Sequence, residues 1–449
     1  MTQAQAQPRE LHLNVNLLGA LGLHPAAWRW DAADPESFLR IDAYVEAAQT
    51  AERGLLDAVF LADSPGLVQD LSVGPPYNGL EPTLLLTSIA RATERIGLIG
   101  TASTTYNEPY NIARRFLGVD LISGGRVAWN AVTTYNSNSA RNFGAAEPTR
   151  EERYARGNEF IDVVRALWSS WDPDAVIADK RSGTFADLAR IRPVEHRGRH
   201  FTVSGALTLP SSPQGYPVIF QAGGHGEGRD LAGRVADAVF SAPAGLADAH
   251  ELADDLRRRA AAYGRDPAAL RILPGLRTTI GSTEREAWER RDELEELTDR
   301  TAAIRSLAAL LGVPGEALEL DSPVPVELLN APLPGLPANW NTDPRAQRLA
   351  AEGLTVRELL SRGIGAGYLL AVGTPEHVAD TIQTWFESGA VDGFNLMPDV
   401  LADGLPALVD HVVPILQRRG LFRTEYRGTT LREHYGLPLP VTRPPVGAR

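Results

Sequence analysis

The 449-residue chain contains no cysteine. Disulfides, thiolate metal sites and cysteine nucleophiles are thereby excluded. Lysine is almost as scarce: of 44 basic residues only Lys180 is a lysine, so Schiff-base or lysine-base chemistry would have to fall on that one side chain. No stretch approaches the roughly 18 unbroken apolar residues of a membrane span. The opening Met1-Thr-Gln-Ala-Gln-Ala-Gln lacks the apolar core of a secretory signal, and a cytoplasmic protein is expected. The nine histidines are scattered, with no His-Glu-x-x-His and no His-x-His pair, so no metal is expected. Acidic residues outnumber basic ones 56 to 44, for a net charge of −12. Such a surface repels phosphate backbones and anionic lipid, and neither nucleic acid nor membrane is an expected partner.

What is present is an ordinary globular composition, 43% apolar and 22% charged, enough for a sizeable core. The pattern alternates strand and helix. Residues 10–18 alternate as a first strand, and a helix follows from about Pro35, with Asp34 as its cap and Gly54 as its end. The run Asp57-Ala-Val-Phe-Leu-Ala-Asp63 reads as a buried parallel strand closed by an acid. Helices at 83–95 and 110–122 alternate with strands at 96–103 and 126–133; further strands are expected at 217–222, 236–241, 271–280 and 391–397. Eight strands with intervening helices favour a closed α/β (β/α)₈ barrel over an open sheet.

Two stretches break the rhythm. Residues 134–215 hold a helix (150–169) and a polar, hairpin-like excursion around Asp187–Leu209, and residues 297–372 are rich in Leu, Pro and Gly without a clear strand. Neither carries a complete periodic core, so both read as insertions on one domain spanning 1–449. The Arg- and Pro-rich tail from about 417 to 449 is expected to wrap the surface or a neighbouring subunit.

In such barrels the chemistry gathers at the carboxyl ends of the strands. Asp63 closes the second strand, where a carboxylate either bonds a nearby loop backbone or holds a polar ligand edge. Thr101-Ala-Ser-Thr-Thr-Tyr-Asn-Glu-Pro-Tyr110 packs five hydroxyl-bearing residues between Thr101 and Tyr106; they serve equally to cap the next helix or to bond a cofactor. Asn130 lies inside an apolar strand, where an unpaired buried amide costs on the order of 1–3 kcal/mol, so it faces something polar. The turn Gly223-Gly-His-Gly-Glu-Gly-Arg-Asp230 opens a helix and fits either an anion, through free N–H groups and the helix dipole, or simply a tight turn. It is neither a P-loop nor a dinucleotide fingerprint. His24 and Trp28-Arg29-Trp30 follow the first strand and either line a pocket or pack on the rim.

Taken together, the runs Thr101–Tyr110, Ser123-Gly-Gly-Arg-Val-Ala-Trp-Asn130, Ala140-Arg-Asn-Phe-Gly144, Ser212-Pro-Gln-Gly215, Gln221-Ala-Gly223, Asp392-Gly-Phe-Asn-Leu-Met-Pro398 and Gly420-Leu-Phe-Arg-Thr-Glu-Tyr426 resemble one family. It is the nitrilotriacetate monooxygenase and dibenzothiophene-sulfone monooxygenase branch of the luciferase-like FMN-dependent monooxygenases, and the resemblance spans nearly the whole chain. It implies a bacterial-luciferase-like TIM barrel working as a two-component enzyme. A separate NAD(P)H:flavin reductase would supply FMN in reduced form (FMNH2), and O2 would oxygenate a small organic substrate through a flavin C4a-peroxide. It also implies a dimer or tetramer.

Carried over by position, Asp63, Ser103, Thr104 and Asn130 would meet the isoalloxazine or ribityl part, and Tyr154 the phosphate. Relatives have His four residues before that tyrosine; here Arg150 stands one helical turn away, and guanidinium suits phosphate. Where relatives have Gly-Ser-Ser after Gln-Ala, this chain has Gly223-Gly224-His225, so phosphate binding rests on backbone N–H groups at Gly224 and on His225. His24, Trp28 and Tyr106 are the expected substrate pocket. No residue is assigned a catalytic acid–base role. A deazaflavin-dependent luciferase-like oxidoreductase, a barrel hydrolase and a non-catalytic flavin-binding protein are the competing readings. The hydrolase lacks the metal or acid pair it would need.

Overall fold

The computed structural model describes residues 9–67, 69–76, 78–329, 344–362 and 368–440. Eight parallel strands close into a barrel: β1 (His12–Asn16), β2 (Ala58–Leu61), β3 (Gly97–Ser103), β4 (Val127–Val132), β5 (Val218–Gln221), β6 (Ala238–Ser241), β7 (Arg271–Ile280) and β8 (Gly393–Pro398). Each pairs with its neighbour in sequence, and β8 returns to β1 through His12–Val15 against Gly393–Leu396. All eight coincide with the strands expected from the sequence.

The period of two in a strand sorts the side chains. Ala58 and Phe60 of β2, Ile99 of β3, Ala128 of β4, Phe220 of β5 and Leu273 of β7 form an inner cluster. Their outward neighbours Val59, Leu98 and Trp129 join Phe116, Phe160 and Trp168 of the surrounding helices in the main core.

Four local expectations change. The helix expected from Pro35 begins at Ile41; Asp34 instead accepts the Glu36 N–H in the turn before it. The first insertion holds two hairpins rather than one: Val176–Asp179 with Thr184–Ala186, and Val194–Arg197 with Thr202–Gly205. The second insertion, expected to lack a strand and a core of its own, contains Leu369–Gly373, which pairs with the upper half of β7 above the end of β6. Its helices also build a separate apolar cluster around Leu307, Leu311, Val356 and Leu359.

The tail is the largest correction. Rather than wrapping the surface, the tail as far as residue 440 seals the amino end of the barrel; residues 441–449 lie outside the described residues. Leu431, Tyr435 and Leu437 join the inner cluster. The Tyr435 hydroxyl donates to Asn14 Oδ1 (2.6 Å), Asn14 Nδ2 donates to Asn395 Oδ1 (3.0 Å), and Asn395 Nδ2 donates to the Leu273 carbonyl (2.7 Å). Beside this chain the Arg423 guanidinium bonds the fully buried Asp57, which also meets His12 Nδ1 at 3.1 Å and the Leu13 N–H at 2.7 Å. Burial pushes the Asp57 carboxyl up, but Arg423 and His12 outweigh it and hold it near 2.

Removing the hydroxyl in Tyr435→Phe leaves Asn14 Oδ1 buried without its donor. We expect a loss of about 1–3 kcal/mol, read as a lowered urea midpoint with an unchanged m-value.

Candidate active site

With the amino end sealed, the carboxyl ends of the strands open into a cavity of about 780 Å³. The inward positions above the apolar layer are polar: Asn16 on β1, Thr101 on β3, Asn130 on β4 and Arg277 on β7 all line it. Asn130 Nδ2 donates to Thr101 Oγ1 (2.9 Å), while its Oδ1 is occluded and has no partner among the described residues. Phe60, Phe240, Tyr368 and Met397 supply apolar wall, and Trp28 lines the cavity from the first βα loop. The roof comes from the second insertion, through Asp299, Ala302, Ala303 and Ser306 of the segment around helix Arg300–Leu311.

Of the four carboxyl residues that line this space, Asp63, Asp70, Glu295 and Asp299, Asp63 and Glu295 are held in opposite states. Burial, reinforced by the nearby Glu81 carboxylate, pushes Asp63 up to about 6. Burial also acts on Glu295, but the hydrogen bond from His24 and the Arg291 charge outweigh it and hold that carboxyl below its usual range. His24 Nδ1 accepts the Ala26 N–H (3.2 Å), so its Nε2–H donates to Glu295 Oε1 (3.2 Å). Burial lowers the imidazole's pKa, which keeps it neutral. Arg291 bonds Glu295 from the same helix and the Ser361 carbonyl at 3.1 Å.

The glycine turn continues from the cavity wall. Ala222, the residue after β5, lines the cavity, and helix Gly226–Val235 starts four residues later with His225 at its N-cap. Gln221 Oε1 accepts the Gly223 N–H (2.7 Å), and Arg229 Nε donates to the Gly224 carbonyl (2.9 Å). Gly228 is the tight point. A methyl there would sit 2.7 Å from Gly223 Cα and 2.9 Å from the Tyr154 hydroxyl, whereas Gly224 and Gly226 face open space. An exposed cradle of backbone N–H groups therefore lies beneath Tyr154, with Arg150 one turn earlier on the helix Arg150–Trp168.

Of the expected site residues, Asp63, Asn130 and Trp28 line the cavity; the Tyr154 hydroxyl stands against Gly228 of the helix that Gly224 and His225 lead into. Ser103 and Thr104 do not line it: Ser103 Oγ accepts the N–H groups of Thr105 (3.1 Å) and Tyr106 (3.3 Å), and the Thr104 hydroxyl donates to the Val132 carbonyl (3.2 Å). Tyr106 stacks on Phe143, 5.0 Å between centroids, away from the lining, and His24 stands behind Glu295. Sequence reasoning passed over Asn16, Arg277, Arg291 and Glu295. The first two carry the same signal as Asn130, a polar residue within an apolar strand. The other two sit on helix Glu284–Leu297, so dense in charge that nothing distinguishes them.

Residues 23–392 match the luciferase-like monooxygenase family. The chain belongs to it. This monooxygenase is 40% identical over 446 residues to N-acetyl-S-(2-succino)cysteine monooxygenase of Bacillus subtilis (strain 168), covering 98% of this chain and 99% of that protein. It is 40% identical over 434 residues to nitrilotriacetate monooxygenase component A of Aminobacter aminovorans (93% and 95%). It is also 38% identical over 447 residues to dibenzothiophene-sulfone monooxygenase of Rhodococcus erythropolis (strain XP) (97% and 98%). Among solved structures, EDTA monooxygenase (EmoA) from Chelativorans sp. BNC1 superposes with a TM-score of 0.80 at 33% identity, covering 96% and 99%. Riboflavin lyase (RcaE) with modified FMN and riboflavin superposes at 0.80 and 30%, covering 97% and 98%. The branch resembled at the level of sequence is thus the one to which the chain belongs.

Asp63 has a folded-state pKa above its unfolded value, so the folded protein binds the proton more tightly. Stability is therefore lost as pH rises from about 4 to about 6. Asp63→Asn removes that dependence: its urea midpoint, compared with that of the wild type, should gain across this window and level off above it.

Proposed function

We propose that this monooxygenase is the oxygenase of a two-component system: it takes reduced FMN from a separate NAD(P)H:flavin reductase and uses O2 to place one oxygen atom in a small organic substrate. The observation that carries the reading is the continuity of the cavity, through Ala222, with the glycine cradle under Tyr154. A ligand with a planar polar ring at one end and a phosphate at the other fits that shape. Asn130 brings a side-chain amide to the cavity wall, and an isoalloxazine ring carries an N–H between two carbonyls. The relative called component A of its enzyme supports a separate second component, and FMN is named with RcaE.

Asn130 and Asp63 would hold the ring. The backbone N–H groups of helix Gly226–Val235, with Tyr154, Arg150 and His225, would hold the phosphate, as a helix amino end suits an anion. When bound, the reduced flavin supplies the two electrons that activate O2. The protein's part is to exclude water and hold the substrate, which Phe60, Phe240, Met397 and the insertion roof do. Asp63, with its pKa near 6, can hold or release a proton at its carboxyl close to neutrality.

Anaerobic titration with reduced FMN, followed by mixing with 18O2 and substrate, tests the reading; absence of tight binding, or no label in product, counts against it. In Gly228→Ala the added methyl crowds Gly223 and Tyr154. FMN affinity should fall roughly 10-fold or more, about 1.4 kcal/mol, with the circular dichroism spectrum unchanged.

A further inference from the structure

The two hairpins of the first insertion are held very differently. In the second, Val194–Arg197 with Thr202–Gly205, exposed and half-buried positions alternate. It is tied to the helix Arg150–Trp168 through Glu159, which meets His196 Nε2 at 3.0 Å and accepts the N–H groups of His200 (3.0 Å) and Phe201 (2.9 Å). The first, Val176–Asp179 with Thr184–Ala186, is anchored only at its base. There Trp171 bridges Ile191, and the Asp187 N–H donates to the Ala175 carbonyl at 2.8 Å. All four residues of its first strand are exposed, as are Thr184 and Phe185 of its second. Among the described residues nothing covers either face, and the two strands pair with no other. A bare two-stranded hairpin is marginal in water, and both its edges are open to pairing.

Its side chains are not those of a solvated loop. Val176 is 39% exposed, Ile177 49%, Phe185 66% and Leu188 78%. Together they present roughly 400 Å² of apolar surface, within the range at which a patch on a monomer marks a contact. That is about half of the roughly 800 Å² each partner buries in a standard interface, which is the apolar share such interfaces carry.

Charge is sorted along the same hairpin. At the turn two cations, Lys180 and Arg181, stand with one carboxylate, Asp179. At the base two carboxylates, Asp174 and Asp187, stand with one cation, Arg190, at 3.2 and 3.4 Å. Asp172 and Arg192 pair with each other and cancel. A second hairpin laid antiparallel to the first sets each cationic turn against the other's anionic base, and the apolar middles meet. An unrelated partner would have to supply the reverse pattern; another copy of this chain already carries it. A two-fold axis produces both matches at once, because each copy contributes both halves.

We propose that the hairpin of residues 174–190 is an interface between two copies of this chain, paired antiparallel across a two-fold axis.

Sedimentation velocity of the full chain tests the contact. Phe185→Asp with Leu188→Asp removes its apolar part. The mass of the assembly should halve while the circular dichroism spectrum stays unchanged, since both side chains are exposed in the single chain. The charge test is more specific. Lys180→Glu gives the turn two carboxylates and one cation; Asp174→Lys gives the base two cations and one carboxylate. Either variant alone sets like charges against each other at both ends of the contact. Each should self-associate 10-fold or more weakly at low salt, where such charges are least screened. An equimolar mixture of the two restores opposite signs at both ends and should recover the wild-type mass.

A monomeric wild type, an apolar variant of undiminished mass, or a mixture that does not recover overturns the proposal. A mass that falls only on removal of residues 441–449 would assign the contact to the tail and overturn it as well.

Discussion

A closed barrel of parallel strands has two ends, and one of them becomes a pocket only if the other is sealed. Here the seal is a line of buried hydrogen bonds from Tyr435 through Asn14 and Asn395 to the Leu273 carbonyl, lying across the axis on the inner apolar layer. Each member satisfies the next, which is the condition under which polar groups are tolerated in a core. Asn14 and Asn395 are register partners on β1 and β8, so the seal also bridges the seam where the last strand meets the first. Everything above this layer inherits its position from it: two residues further along β1, the same inward face presents Asn16 to the cavity.

The cavity is accordingly polar in a graded way. Its floor is apolar; above it come amides and a hydroxyl, and then charges. Asp63 and Glu295 are both half-buried carboxyls, yet burial and a like-charged neighbour raise the first, while an imidazole N–H and a guanidinium depress the second. One carboxyl is thus close to titration at neutral pH and the other is fixed as an anion. That difference separates a group suited to proton traffic from one suited to structure and orientation.

The barrel was legible because buried parallel strands are short apolar runs, and a run such as Asp57–Asp63 resembles little else. The seal was not, because Leu431 and Tyr435 are single apolar residues among arginines, glycines and prolines, and only their contacts reveal them. The strand Leu369–Gly373 was hidden by its setting, a Leu- and Gly-rich stretch with no alternation. Within the site, Asn130 could be read from strand polarity alone, and the same rule applied to Asn16 and Arg277 would have found both. Ser103 and Thr104 show the limit of that rule: the turn after β3 uses their hydroxyls for its own N–H and carbonyl groups, a use that composition cannot distinguish from ligand binding. The residues proposed for the phosphate came from family resemblance, since a glycine turn opening a helix is ambiguous by itself.

The near absence of lysine belongs to the same construction. All but one of the 44 basic residues are arginine, and several are buried where an ammonium would serve poorly. Arg126 donates to the carbonyls of Ala90, Thr93, Ile96 and Ser123 and to the Thr93 hydroxyl. It gathers the end of the helix Pro82–Ala92, the start of β3 and the end of the helix Pro109–Ser123 on a single side chain. Helix carboxyl ends carry unpaired carbonyls and partial negative charge, and a guanidinium meets several at once with five fixed donors while remaining charged when buried. A lysine has three donors on one atom and loses its proton more readily on burial, so it could neither span three elements nor guarantee the charge. Arg291 applies the same property at the site, holding the Ser361 carbonyl of the insertion with one edge and Glu295 with the other. The roof of the cavity and the carboxylate in its wall are thereby fixed to each other by one residue.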